Sequence, residues 1–239
     1  MLARIIFVLT AITLIFTAVF FWRSPWSPAV PHQARQKVVQ GDIEGAISLL
    51  RWRADNALNA ATHIDSLWEA AQLLALKTDQ KEQAVRLLKR CIHTANFQHH
   101  AMAHAYIASL ISESSPRDSI YHWKQAIKLN PNPQESGRWW VRVASTYEQL
   151  DEKKEAISAW GEATQYDDVV NMAHLALGRL LLKTNPKQAL EHFQAAQEDT
   201  SAERSRSAEL GAQLARWEIK DQLFSEQQKK PVPRRRRRR

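Results

Sequence analysis

Large apolar side chains recur with helical spacing through most of the chain, and one short figure returns five times: a small residue, then a large one four positions later. The small positions are Ala46, Ala84, Ser119, Ala156 and Ala189, and the large ones are Leu50, Leu88, Trp123, Trp160 and Phe193. Residues four apart share one face of a helix. The small positions lie 38, 35, 37 and 33 residues apart, a period in the range of stacked helical hairpins. In two copies, ISESSPRDSIYHW (111–123) and LLKTNPKQALEHF (181–193), a proline stands three residues before the small position. Proline at the first turn of a helix loses an N–H that has no partner there anyway, so Pro116 and Pro186 predict helix starts.

Each period thus reads as two antiparallel helices. Small residues such as Ala144, Ala156 and Ala163 let the backbones approach, and large ones such as Trp160 fill the space left. One hairpin cannot bury its own apolar face, so neighbours stack and the last face needs a cover. The expected fold is all-α, a solenoid of helical hairpins over residues 34–225. The stretch 201–224 is its capping helix, with the stripe Leu210, Leu214 and Trp217 expected to face inward.

The two ends differ from this body. IIFVLTAITLIFTAVFFW, residues 5–22, contains no charge, and as a helix it would rise about 27 Å against a hydrocarbon core of about 30 Å. Arg4 and Arg23 bracket it, with Trp22 and Trp26 where aromatic belts form. It is longer than the apolar region of a signal peptide and lacks a small-x-small cleavage site. Residues 1–23 are therefore expected to be an uncleaved single-pass anchor, with 24–33 a Pro-rich spacer. The positive charges flanking the anchor nearly balance. The expected orientation, amino terminus inside and repeats on the outer (periplasmic, if bacterial) face, follows the commoner arrangement for such anchors.

Composition agrees with helices: 6 glycines and 9 prolines in 239 residues leave few tight turns for sheets. The formal charge of +8 comes from 33 basic and 25 acidic residues. Lys229, Lys230 and Arg234–Arg239 supply eight of those positives, so residues 1–228 balance to zero. The basic character belongs to the tail, 226–239, which reads as disordered. Cys91 is the only cysteine, which excludes an internal disulfide and a multi-thiolate zinc site.

The unit from Gly137 carries Trp140, Val143, Ala144 and Tyr147, then Ala156 and Trp160. The next carries Leu177, Gly178 and Leu181, then Ala189 and Phe193, and an earlier one Ile107, Ala108 and Ile111, then Ser119 and Trp123. This pattern resembles the tetratricopeptide repeat, W-x2-L-G-x2-Y followed by A-x3-F. The resemblance spans roughly residues 31–200 and is sharp in three units. In the first two it is degenerate: Arg53 stands where a small residue belongs, and the helix around Leu73 lacks the full pattern.

The resemblance implies a concave groove lined by first helices that takes a peptide or partner helix. By position, the best unit would show Arg138, Val141, Ser145, Glu148 and Gln149. Met172, Leu175 and Arg179 follow from the next unit, and Met102, Ala105 and Ser109 from the earlier one. Arg138 and Arg179 are the expected clamp for a partner carboxylate. Trp123, Trp140 and Trp160 fall on core positions, leaving Trp139 as the aromatic for partner contact.

No phosphate loop, nucleophile elbow or zinc-protease motif occurs, and no small-molecule substrate, cofactor or metal is expected. His100 and His104, one turn apart near His93 and His99, are too few and too unsupported for a zinc site. Cys91 occupies a small second-helix position and reads as a packed thiol. The expected function is a membrane-anchored scaffold or assembly and chaperone-like accessory, not an enzyme, whose partner belongs to another membrane complex. The alternative is tethering to anionic lipid or nucleic acid through the poly-Arg tail.

Overall fold

A computed structural model of the chain describes residues 24, 27, 29–94, 98–130, 132–198 and 201–229. The expected anchor and the poly-Arg run lie outside them. The described residues are helical throughout, with no strand among them.

The chain divides into two compact units, the first ending at His122 and the second beginning at Trp123. In the first, helices α1 (Val30–Val39) and α2 (Ile43–Asp55) form one hairpin, and α3 (Ala60–Lys77) and α4 (Lys81–Ile92) the next. Helix α5 (His100–Ile111) follows, paired with the opening turns of α6 (Pro116–Leu129). The second unit holds the rest of α6, the hairpin α7 (Pro133–Gln149) with α8 (Lys153–Ala163), and the hairpin α9 (Val170–Leu181) with α10 (Pro186–Ala195). A short 3-10 turn, Ala196–Glu198, leads to the long α11 (Ala202–Lys229). Within each unit, most packing is between helices adjacent in sequence, and in the second unit α9 also meets α11.

Local chemistry sets the boundaries. Pro116, Pro133 and Pro186 each open a helix. Gly41 turns the chain at φ +82°, and Asp42 then caps α2 by accepting from the Gly45 backbone N–H at 2.9 Å. The Lys37 ammonium, 2.6 Å from Asp42, and the Gly45 N–H both hold that carboxyl below its ordinary range. Pro31 sits in the first turn of α1, where proline fits a helix, so α1 starts at Val30 inside the stretch expected to be spacer. The last helix continues to Lys229, past the expected domain end at 225.

The repeated figure is the core. Ala46, Ala84, Ser119, Ala156 and Ala189 have no exposed surface, and Leu50, Leu88, Trp123, Trp160 and Phe193 are all buried beside them. Ser119 keeps its hydroxyl satisfied by donating to the Ala108 carbonyl at 2.9 Å, so a polar residue serves at a fully buried site. Ala144 is fully buried and Tyr147 is half-buried. Arg53, the irregular residue of the first unit, reaches Ser66 Oγ at 3.4 Å while its Nε is buried without a partner.

Two expectations about which side chains are buried are also corrected. Trp139 is buried, 8% exposed, with its ring centroid 6.2 Å from that of Trp123, while Trp140 is only half-buried. The aromatic next to Trp123 takes the interior site, so Trp139 is packing and not a contact surface. The cap is also turned over. Helix α11 buries Ala208, Gly211, Ala212 and Ala215, while Leu210, Leu214 and Trp217 point outward. The reason is Phe193 of α10. Its ring lies so close that an added Cβ at Gly178 would meet it at 2.8 Å, and one at Gly211 would collide with it outright. With bulk already supplied from one side, only small residues fit on the other.

This packing makes opposite demands on neighbouring positions of α11. Gly211→Ala is expected to destabilise the chain by about 1–3 kcal/mol through overpacking against Phe193. Leu214→Ala is expected to stay within about 0.5 kcal/mol, as an exposed substitution does. Urea unfolding of the two variants measures both; the inward stripe read from sequence would require the reverse order.

Candidate functional site

In the first unit an apolar groove of about 450 Å³ opens between α1 and α3, two first helices. Ala34, Val38 and Val39 line it from α1, Leu73 and Leu76 from α3, and Leu50 closes the floor. Val39 is 88% and Leu76 62% exposed, so this apolar surface is in water. Arg35, Glu69 and Lys77 form a charged rim, with Arg35 and Glu69 3.8 Å apart. The family register is weakest here, and of the groove residues only Leu50 falls on a position the repeat pattern marks. The available signal is the pairing of Val38 and Val39 on one helix with Leu73 and Leu76 on the next first helix.

In the second unit the expected clamp residues are already engaged. Arg138 Nε donates to Asp168 Oδ2 at 3.2 Å, and Arg179 Nη2 donates to Glu148 Oε2 at 3.1 Å. The other oxygen of Glu148 accepts from Trp160 Nε1 at 2.7 Å. Glu148 therefore ties the large residue of one hairpin to the first helix of the next. Both arginine side chains remain largely exposed, whereas Glu148 and Asp168 are mostly covered. Exposed ion pairs of this kind contribute about 0–1 kcal/mol each. Val141 and Ser145 of α7, and Met172 and Leu175 of α9, are half-buried; Gln149 is exposed. In the first unit Ser109 is exposed, Met102 half-buried and Ala105 buried. Tyr147 accepts from Lys124 Nζ at 3.0 Å, with that ammonium 5.3 Å from its ring centre.

The histidines resolve into two matching pairs. His104 Nδ1 lies 2.8 Å from His122 Nδ1, and His174 Nδ1 lies 3.0 Å from His192 Nδ1. Each pair joins residues 18 apart across a hairpin, and the pairs sit 70 residues apart in sequence. Such a bond requires one ring to be protonated on Nδ1 and the other on Nε2. Burial lowers the proton affinity of all four rings. His104 falls to about 4, with His122, His100 and His93 adding to the burial effect. Lys89 lowers His122 further while Asp118 opposes, and Glu191 opposes the fall at His192. Among the described residues no three or more His, Cys, Asp or Glu side chains gather as metal ligands. Cys91 is buried, which pushes its thiol up to about 11.

No family sequence model and no curated protein sequence matches the chain. Solved structures do. YrrB, described as a TPR protein with an unusual peptide-binding site, superposes with a TM-score of 0.56 at 14% identity, covering 86% of this chain and 97% of YrrB. MamA from Desulfovibrio magneticus RS-1, residues 41 to the end, gives 0.54 at 18% identity, covering 71% of this chain and 92% of MamA. A further MamA structure gives 0.53 at 15% identity over 86% and 99%. At these identities the likeness is one of fold.

The histidine pairs give the body an acid sensitivity of fixed sign. Unfolded, a histidine titrates near 6.5; folded, these four titrate lower, so between the two values the unfolded chain binds more protons. The stability contributed by the buried neutral rings is fully present above pH 6.5 and is lost as the pH falls towards about 4, the folded value of His104. Melting temperature against pH measures this, and a chain carrying His104→Gln and His122→Gln is expected to show a shallower fall over that window.

Proposed function

The described body of the chain has the tetratricopeptide-repeat fold, and we propose that it is a membrane-anchored interaction scaffold that holds a peptide or helix of a partner protein against its first helices. The observation that carries this reading is the open groove between α1 and α3, where Val39 and Leu76 stand in water at the mouth of an apolar cleft. A soluble body gains from covering such surface at about 25 cal/mol per Å². The charged rim of Arg35, Glu69 and Lys77 suits an amphipathic segment that presents apolar side chains inward and both charges outward. That YrrB is described as having a peptide-binding site supports the same use of the fold.

Arg138 and Arg179 are the second part of the proposal. Their ion pairs leave both guanidiniums accessible, and a partner carboxylate can be received without breaking the hairpin ties through Glu148 and Asp168. Ser109, Val141, Ser145, Gln149, Met172 and Leu175 are the accompanying first-helix surface in their own units. No reaction step is assigned to any residue, and the role is assembly or chaperone-like support of another membrane complex. Residues 5–22 supply the anchor, with the repeats on the outer face, periplasmic if the cell is bacterial.

Two measurements test this. The full chain is expected to stay with membranes through alkaline extraction, while a chain starting at Ala34 is soluble; a mature protein beginning beyond residue 22 removes the anchor. For the groove, Val39→Asp with Leu76→Asp changes only exposed side chains, so melting is expected to hold while partner recovery drops tenfold or more. Arg138→Ala with Arg179→Ala is expected to weaken recovery by a smaller factor, at a stability cost of about 0–1 kcal/mol per lost ion pair. Undiminished recovery with both folded variants sinks the groove assignment.

A further inference from the structure

The outward face of α11 carries a further apolar surface. Leu210, Leu214, Trp217 and Phe224 recur at i, i+4, i+7 and i+14, which puts them on one stripe of the helix. They are 55%, 56%, 61% and 61% exposed, and the opposite side of the same helix is the small-residue face seated against Phe193. The cap covers the last hairpin with alanine and glycine and leaves its large apolar residues in water. Asp221 lies on the same stripe between Trp217 and Phe224, and Lys220 flanks it.

From this juxtaposition we propose that the outer face of α11 is an anionic-bilayer docking surface, with Leu210, Leu214, Trp217 and Phe224 entering the interface and the basic run Lys229–Arg239 holding the headgroups. The charge distribution favours this occupant. The body is neutral, and the whole excess of positive charge begins at the end of this helix with Lys229 and Lys230 and continues through Arg234–Arg239. A polybasic segment draws anionic lipid, and a Leu, Trp and Phe stripe inserts at the headgroup boundary. Either signal alone gives marginal, reversible attachment, and stable attachment takes two together. Asp221 keeps its turn at headgroup level, which limits the helix to lying in the interface plane. A second copy fits less well. Four half-exposed side chains offer on the order of 400–500 Å² between them, short of the roughly 800 Å² per partner of a stable protein interface. Nucleic acid fits less well again, because no aromatic is interleaved with the arginines.

The test reads α11 alone, so it is independent of the groove and of how the amino-terminal end is held. Cys91 is buried with its thiol raised to about 11, so a single nitroxide can be placed on the full chain through Gln213→Cys, beside the stripe. Vesicles of phosphatidylcholine alone are compared with vesicles containing phosphatidylglycerol, and collision of the label with oxygen is measured against collision with a water-soluble nickel chelate. The expected result is membrane depth in the anionic vesicles only. Depth is lost when the chain ends at Lys229, and lost again in Leu214→Glu with Trp217→Glu, both exposed positions that leave the fold intact. A label that stays water-exposed in anionic vesicles overturns the proposal. Equal depth in phosphatidylcholine removes the role of the basic run. Label–label broadening that disappears on dilution with unlabelled chain assigns the face to a second copy, and protection by an oligonucleotide instead of vesicles assigns the tail to nucleic acid.

Discussion

The close approach of two helix backbones at one small residue per hairpin is the contact on which the remaining architecture depends. At Ala46, Ala84, Ser119, Ala156 and Ala189 no surface remains, and the large residue four positions on fills the space that proximity creates. Truncating such a residue, Trp160 or Phe193, removes packing worth about 3–5 kcal/mol. The loss does not stay local, since each hairpin is supported only by its neighbours. Phe193 shows how far the constraint reaches. Its ring fixes Gly178 on its own hairpin partner and Gly211 on the cap, and thereby decides which side of α11 faces solvent.

That chain of consequence explains what was legible in the sequence. Helix starts at Pro116 and Pro186 and the five small-to-large figures follow from local rules, so they could be read directly. The orientation of α11 could not. Reading Leu210, Leu214 and Trp217 as the buried side assumes that size alone decides burial, whereas a cap set against a phenylalanine needs small residues. Trp139 and Trp140 were exchanged for a similar reason: the site beside Trp123 selects between adjacent aromatics, and only tertiary packing makes that choice. The groove between α1 and α3 was hidden because the repeat pattern is most degenerate where the apolar surface is most open. At Arg138 and Arg179 the register located the side chains, but their partners Asp168 and Glu148 lie 30 and 31 residues away, beyond any local pattern.

The same physics separates the surfaces by use. Inside, most polar groups are satisfied within hairpins, Ser119 on a carbonyl, Trp160 on Glu148 and histidine on histidine in two matching pairs, with Arg53 Nε the exception among the described residues. Outside, apolar surface is left in water between the first two first helices and along the back of the cap. The first is concave and rimmed by both charges, which suits a protein segment. The second is a straight stripe that leads into a polycation, which suits a bilayer.

Cross-linking of the full chain in native membranes, followed by mass spectrometry of the linked peptides, tests the scaffold account most directly. Lysines are distributed over both sides of the hairpins, with Lys37 and Lys77 on first helices and Lys89, Lys128 and Lys187 on second helices. The account predicts partner peptides joined to Lys77, at the rim of the α1–α3 groove, and to Lys37 on α1. Partner links confined to Lys89, Lys128 and Lys187 would place the interaction on the opposite side of the hairpins and contradict it.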